Sequence, residues 1–233
     1  MKREVELMTL EEIIANIGPL DQSAMNIAQK RWDSIAKPLH SLGKLETLLI
    51  QIAGITKDAD IDLSKRGLIA MCADNGVVEE GVTQTGQEVT AIVAENFLKY
   101  DTSVGVMCKQ SHTEIFPVDM GMVTDTKVRT DHKVAYGTQN MTKGPAMTRD
   151  QAVKGIEGGI AMVKELKDKG YKILATGEMG IGNTTTSSAV ASVLLNQPVE
   201  EMTGRGAGLT SEGLIRKIRA IKKAIELNRP DPS

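Results

Sequence analysis

The segment GEMGIGNTTTSSAV (residues 177–190) places glycines and hydroxyl side chains between an apolar run and a helical pattern. Such a loop can hold an anion, because free amides at a helix N-terminus and the helix dipole favour negative charge. Two familiar phosphate loops do not fit. A P-loop needs Lys where this chain has Asn183, and the dinucleotide fingerprint needs a third glycine where Thr185 stands. A triphosphate normally arrives with magnesium and meets a lysine, whereas a single phosphate needs neither. The loop therefore suits a monophosphate, with Thr184, Thr185 and Thr186 as added donors and Arg205 or Lys217 as a candidate cation. The alternative is that Gly180 and Gly182 only permit a tight turn capped by Asn183 or Thr184. Lys217 on its own reads more readily as a solvated helix lysine.

Glu178 lies beside this cradle, and a phosphate would repel it. Its carboxylate suits another part of a ligand, accepting from a sugar hydroxyl or taking a proton from a reacting base. A second glycine cluster, GRGAG (204–208), precedes another helix and could bring a second set of amides. ADNGVVEEGVTQTGQEVT (73–90) follows an apolar strand pattern, so Asp74 falls where site residues collect and the polar loop after it suits a substrate wall. Its alternative is an Asn75-Gly76 turn with a solvated Glu79-Glu80 pair. Thr83 and Gln87 could be wall residues or a helix cap and its partner. The twelve methionines, Met179 among them, fill a core or line an adaptable apolar pocket.

The elements that position these residues follow from periodicity. T-x-x-E at Thr9–Glu12 is a capping box, a second helical pattern runs over 21–36, and SLGKLETLLIQIAGI puts Leu45, Leu48, Leu49 and Ile52 on one face. RGLIAMCA (66–73) is a continuous apolar run, as in a buried parallel strand. Helical residues 87–100 and strand 113–121 come next, with Pro117 weakening that strand or marking an edge. Thr148 and Gln151 open a long helix closed by Gly170, then strand 171–176, helix 183–195 and helix 211–227. The alternation predicts an α/β fold, a largely parallel Rossmann-like sheet flanked by helices, with a small N-terminal helical subdomain (1–62) before the α/β nucleotide-binding domain (63–233).

Composition narrows the function classes. The 233 residues are 41% hydrophobic and 25% charged, with a net charge of -2, which gives no general attraction to nucleic acid or membrane. Aromatic content of 3% argues against a base-stacking platform. No apolar run approaches bilayer length, and MKREVELMTL lacks a secretory signal core. Cys72 and Cys108 read as reduced core thiols of a cytoplasmic protein. The three scattered histidines do not suggest a metal site, and no metal or cofactor is expected.

KPLHSLGKLE (37–46), ADNGVVEEGV with QEVT, GTQNM (137–141) with PAMTRDQA, GEMGIGNTT and GRGAGL together resemble nicotinate-nucleotide–dimethylbenzimidazole phosphoribosyltransferases, in that family's order. The resemblance implies a cytoplasmic, homodimeric enzyme without cofactor. It would move the 5-phosphoribosyl group of nicotinate mononucleotide to 5,6-dimethylbenzimidazole or a related base, giving α-ribazole 5'-phosphate and nicotinate for the nucleotide loop of cobalamin. A non-catalytic nucleotide-binding protein is the alternative. By motif, Glu178, Gly180, Ile181, Gly182, Asn183 and Thr184 would meet the ribose and phosphate, and Gly204, Gly206 and Lys217 would complete the phosphate site. Thr83, Gln87 and Met179 would border the benzimidazole, supported by Asp74 and Gly76. Two positions depart from the family pattern: Asn75 stands where His is usual, and Gly86 where Pro is usual. Family chains also continue beyond a segment like NRPDPS, and that portion carries the glutamate regarded as general base. The resemblance thus implies a chain lacking its C-terminal part, with Glu178 only a weak substitute.

Overall fold

The computed structural model describes residues 9–232. The chain divides into two compact units, with the boundary between Lys65 and Arg66.

The first unit is helical: α1 (Leu10–Ala15), α2 (Gln22–Ser34) and α3 (Lys44–Thr56). Thr9 caps α1 through the expected box, its side chain accepting from the Glu12 amide while Glu12 accepts from the Thr9 amide. Helices α2 and α3 pair around Ala24, Ala28 and Ala53, with Ile50 and Ile61 packed against them. The leucine face of α3 is only partly covered: Leu45 and Leu48 are exposed and Leu49 and Ile52 half-buried, while Glu46 is buried and paired with Lys37 at 2.8 Å. Small residues allow close α2–α3 contact, so Ala53 and Gly54 define the inner face instead of the leucines.

The second unit is built on three parallel strands, β1 (Arg66–Ala73), β2 (Thr113–Gly121) and β3 (Ile173–Met179), in the order β2-β1-β3. Helices α4 (Glu88–Lys99) and α5 (Ser103–Gln110) connect β1 to β2, and α6 (Arg149–Asp168) connects β2 to β3. Alternation along β1 sorts its side chains between two cores. Ala70 and Cys72 pack with Ala94, Phe97, Cys108 and Met122, whereas Ile69 packs with Val118, Met162, Leu166 and Tyr171. Being covered on both faces explains the unbroken apolar run of RGLIAMCA. Pro117 sits in β2 at the sheet edge, paired with Ala70, where its missing N–H is tolerated.

β3 runs three residues beyond the expected end at Thr176, so Gly177, Glu178 and Met179 belong to the strand. After it come α7 (Asn183–Leu194), the short α8 (Val199–Met202) and α9 (Ser211–Asn228). Val77, Met141, Ala189, Val199, Ala220, Ile221 and Ala224 form a third core there. Burial raises the Cys72 thiol to about 12 and the Cys108 thiol above its usual value. Both thiols should therefore resist iodoacetamide in the native protein at neutral pH and react only on unfolding, which mass spectrometry of labelled protein would read.

Candidate nucleotide site

Strand order fixes where the site can form. β2 lies to one side of β1 and β3 to the other, so the chain reverses direction across the sheet at β1. In open α/β sheets the crevice beyond the strand ends at such a reversal is the usual ligand position. Here it lies between the loop after β1 and the loop after β3.

The two loops are tied together. Asn75 Nδ2 donates to the Ile181 carbonyl at 3.2 Å, Thr186 Oγ1 donates to Asn75 Oδ1 at 3.3 Å, and Gln87 Nε2 donates to the Asn75 carbonyl at 3.2 Å. Gly180 permits the close approach. A Cβ there would lie 2.2 Å from the Ala73 carbonyl oxygen and 2.8 Å from Glu178 Oε1. Gly182 takes φ of 92°, a left-handed conformation that glycine adopts without strain, and it turns the chain directly into α7.

Several loop amides are already engaged. Ile181 N–H donates to Thr90 Oγ1 at 3.0 Å, Asn183 N–H to the Gly180 carbonyl at 3.0 Å, and Thr185 N–H to the Gly182 carbonyl at 2.9 Å. The N–H groups of Gly182 and Thr184 have no acceptor among the described residues. These two, not the whole loop, are the donors left for an anion.

Lys217 reaches the Thr184 side chain from α9. It is 1% exposed, and its Nζ donates to Thr184 Oγ1 at 2.7 Å and to the Gly204 carbonyl at 3.1 Å. No carboxylate pairs with it among the described residues. Burial alone lowers its pKa, because desolvation disfavours the charged form. A buried ammonium with two neutral acceptors is poised for an anion. Gly206, with φ of 58°, passes beside it: a Cβ there would lie 2.7 Å from Thr184 Oγ1 and 3.4 Å from Lys217 Nζ.

Anion binding favours protonated Lys217. Affinity for a monophosphate should thus be complete below the folded-state pKa and fall as pH rises through it. The fall should begin below the pH at which an ordinary lysine deprotonates, about 10.4. Calorimetric titrations with nicotinate mononucleotide from about pH 7.5 upward would locate it.

Glu178 is exposed at the end of β3 and accepts from Asn183 Nδ2. Partial desolvation raises its pKa, and the Asn183 hydrogen bond opposes that shift. Asn183 at the P-loop lysine position therefore serves a carboxylate through its side chain. Asp74 is fully buried; Val123 N–H donates to its Oδ2 at 2.9 Å, so it supports the loops without reaching the crevice surface. Gly76 N–H donates to Thr138 Oγ1 at 3.1 Å, which docks the GTQNM segment beneath the same loop. Thr83 Oγ1 donates to the Thr85 carbonyl at 2.8 Å, shaping its own turn. Met179 is half-buried and packs against the core under α4. Gln84 Nε2 donates to the Gly208 carbonyl, joining the loop after β1 to the second glycine cluster.

Two sequence expectations change. Arg205 is engaged by its own segment, donating to the Leu209 carbonyl at 2.7 Å and Ser211 Oγ at 3.2 Å, so Lys217 is the cation directed at the loop. Glu79 and Glu80 are not a merely solvated pair: Glu80 accepts from Asn140 Nδ2 at 2.8 Å and Thr142 Oγ1 at 2.7 Å. Thr90 closes the QEVT segment, yet no role falls to it from sequence; its burial on α4 and its bond to Ile181 show one.

A separate hollow of about 500 Å³ lies between the ends of β1 and β2, residues 134–139 and the start of α6. Its lining includes Ala73, Gly121, Tyr136, Met147 and Ile156, and none of the residues expected at the nucleotide site. The described residues contain no group of three or more His, Cys, Asp or Glu able to hold a metal ion, and no helix long and apolar enough to cross a membrane.

A family model described as phosphoribosyltransferase matches residues 17–233. The nicotinate-nucleotide–dimethylbenzimidazole phosphoribosyltransferase of Ruminiclostridium cellulolyticum is 51% identical over 228 residues, covering 97% of this chain and 65% of that protein. The Clostridium tetani protein of the same name is 47% identical, covering 95% of this chain and 62% of its own length. Among solved structures, CobT from Thermus thermophilus matches with a TM-score of 0.83 and 33% identity over 91% of this chain and 64% of that one. The chain thus spans 62–65% of the length of these relatives. From the family match, the fold and the glycine loop at the sheet's reversal point, the chain belongs to the nicotinate-nucleotide–dimethylbenzimidazole phosphoribosyltransferase family.

Proposed function

We propose that this chain carries the nucleotide site of an enzyme that transfers the 5-phosphoribosyl group of nicotinate mononucleotide to 5,6-dimethylbenzimidazole or a related base. The products are α-ribazole 5'-phosphate and nicotinate. One observation carries the reading: a buried lysine without a carboxylate partner meets Thr184, next to two unpaired amides. That arrangement offers a positive charge and free donors to one phosphate and requires no metal.

Chemistry then needs little more than position. The ring nitrogen of the benzimidazole attacks the anomeric carbon, and the bond to the pyridinium nitrogen breaks with its electron pair returning to the ring. Nicotinate therefore leaves without protonation. The base must lose its N–H proton to a carboxylate. Glu178 is the carboxylate this chain brings beside the cradle, suited to the ribose hydroxyls and, weakly, to that proton. Thr83 and Gln87 border the base in this reading, and the nucleotide-binding part is residues 63–233. The same reading makes the enzyme a cytoplasmic homodimer, supported by its free buried cysteines and by exposed apolar side chains such as Met107 and Leu194.

Calorimetry with nicotinate mononucleotide in the presence of a chelator, then chromatography for nicotinate after adding 5,6-dimethylbenzimidazole, tests the proposal. Binding is expected, with nicotinate release above the base-free control. Binding without release would leave a nucleotide-binding protein, and absence of binding would remove the reading.

A further inference from the structure

The residue at the centre of the glycine loop is held from both sides. Thr90, on the first turn of α4 and fully buried, accepts the Ile181 N–H at 3.0 Å. Asn75, in the loop after β1, donates through Nδ2 to the Ile181 carbonyl at 3.2 Å. Both polar groups of one loop residue are therefore fixed by elements outside the loop. Thr90 also lies close to the buried carboxylate of Asp74, whose pKa burial raises and Thr90 lowers. Asp74 in turn accepts from the Val123 amide, and its own carbonyl accepts from Thr138 N–H at 3.0 Å.

The consequence concerns the next peptides. With Ile181 pinned, Gly182 turns at φ of 92°, and the Gly182 and Thr184 N–H groups are left without an acceptor beside Lys217. Were the Ile181 N–H released, the loop could rotate and spend those amides on its own carbonyls. A preformed anion site loses less freedom on binding than one that must be assembled by the ligand.

We infer that Thr90 is a positioning residue for the phosphate site, holding Ile181 so that the Gly182 and Thr184 amides stay directed at the ligand. Thr90 does not touch substrate. The inference rests on the phosphate reading above and adds a residue on a different element.

Two measurements test it. In Thr90→Val, nearly the same shape without the hydroxyl, affinity for nicotinate mononucleotide should fall about tenfold, since a buried amide loses its acceptor. Thr90→Ser should restore it to within about twofold, although it also loses a buried methyl and some stability. Equal affinity in wild type and Thr90→Val would overturn the inference while leaving the phosphate site standing. If wild type does not bind nicotinate mononucleotide, both fall. Amide hydrogen exchange on the wild-type protein covers the case in which Thr90→Val does not fold. Ile181 N–H should be protected in the free protein, while Gly182 and Thr184 exchange fast and become protected only with nicotinate mononucleotide. Fast exchange at Ile181 in the free protein would overturn the inference.

Discussion

Replacing Lys217 by Met should weaken nicotinate mononucleotide binding roughly 30- to 150-fold, a loss of about 2–3 kcal/mol. The lysine is 1% exposed and bonded only to the Thr184 hydroxyl and the Gly204 carbonyl, so it has a free proton and an uncompensated charge for the phosphate. The same substitution should leave the unliganded protein at least as stable as wild type. Its ammonium is held against a desolvation penalty, and an apolar side chain of similar length removes that penalty. Opposite movement of affinity and stability separates a binding lysine from a structural one. Urea denaturation beside calorimetry reads both, and a Lys217→Met protein that binds normally but unfolds early would make the lysine structural.

Gly180→Ala should be the most damaging small substitution in the loop. Its Cβ would lie 2.2 Å from the Ala73 carbonyl oxygen, a backbone atom that cannot swing aside, so the ends of β1 and β3 must separate. A cost of about 3 kcal/mol or more is expected, with loss of measurable nucleotide binding. Gly204→Ala is the control. No atom lies within 4 Å of a Cβ there, and stability should stay within about 0.5 kcal/mol of wild type. Equal denaturation midpoints for Gly180→Ala and wild type would contradict the close approach of the two loops.

The features legible in sequence are those that depend on local chemistry. The T-x-x-E and T-x-x-Q boxes at Thr9 and Thr148 both form, because each pair closes over a single turn. RGLIAMCA reads as a strand because both of its faces are covered. The end of β3 was obscured by Gly177 and Glu178, poor strand formers that parallel pairing with β1 holds in register with Ala70 and Met71. Helix α5 is only eight residues long and gave too little periodicity, although Thr102 caps it by accepting from the Gly105 amide. At the site, the glycine loop was legible from its composition. How its amides are spent was not, because Thr90 and Asn75 lie 91 and 106 residues away from Ile181 in sequence. Arg205 looked equivalent to Lys217 on charge alone; only the turn of its own segment shows where its guanidinium goes.

The claim beneath all of this is that two backbone amides and one buried lysine hold a lone phosphate without a metal. A crystal structure of the protein with nicotinate mononucleotide, grown in chelator, tests it directly. Phosphate oxygens are expected within hydrogen-bond distance of the Gly182 and Thr184 nitrogens and of Lys217 Nζ. A phosphate seated elsewhere, or bound only when magnesium is supplied, would contradict it.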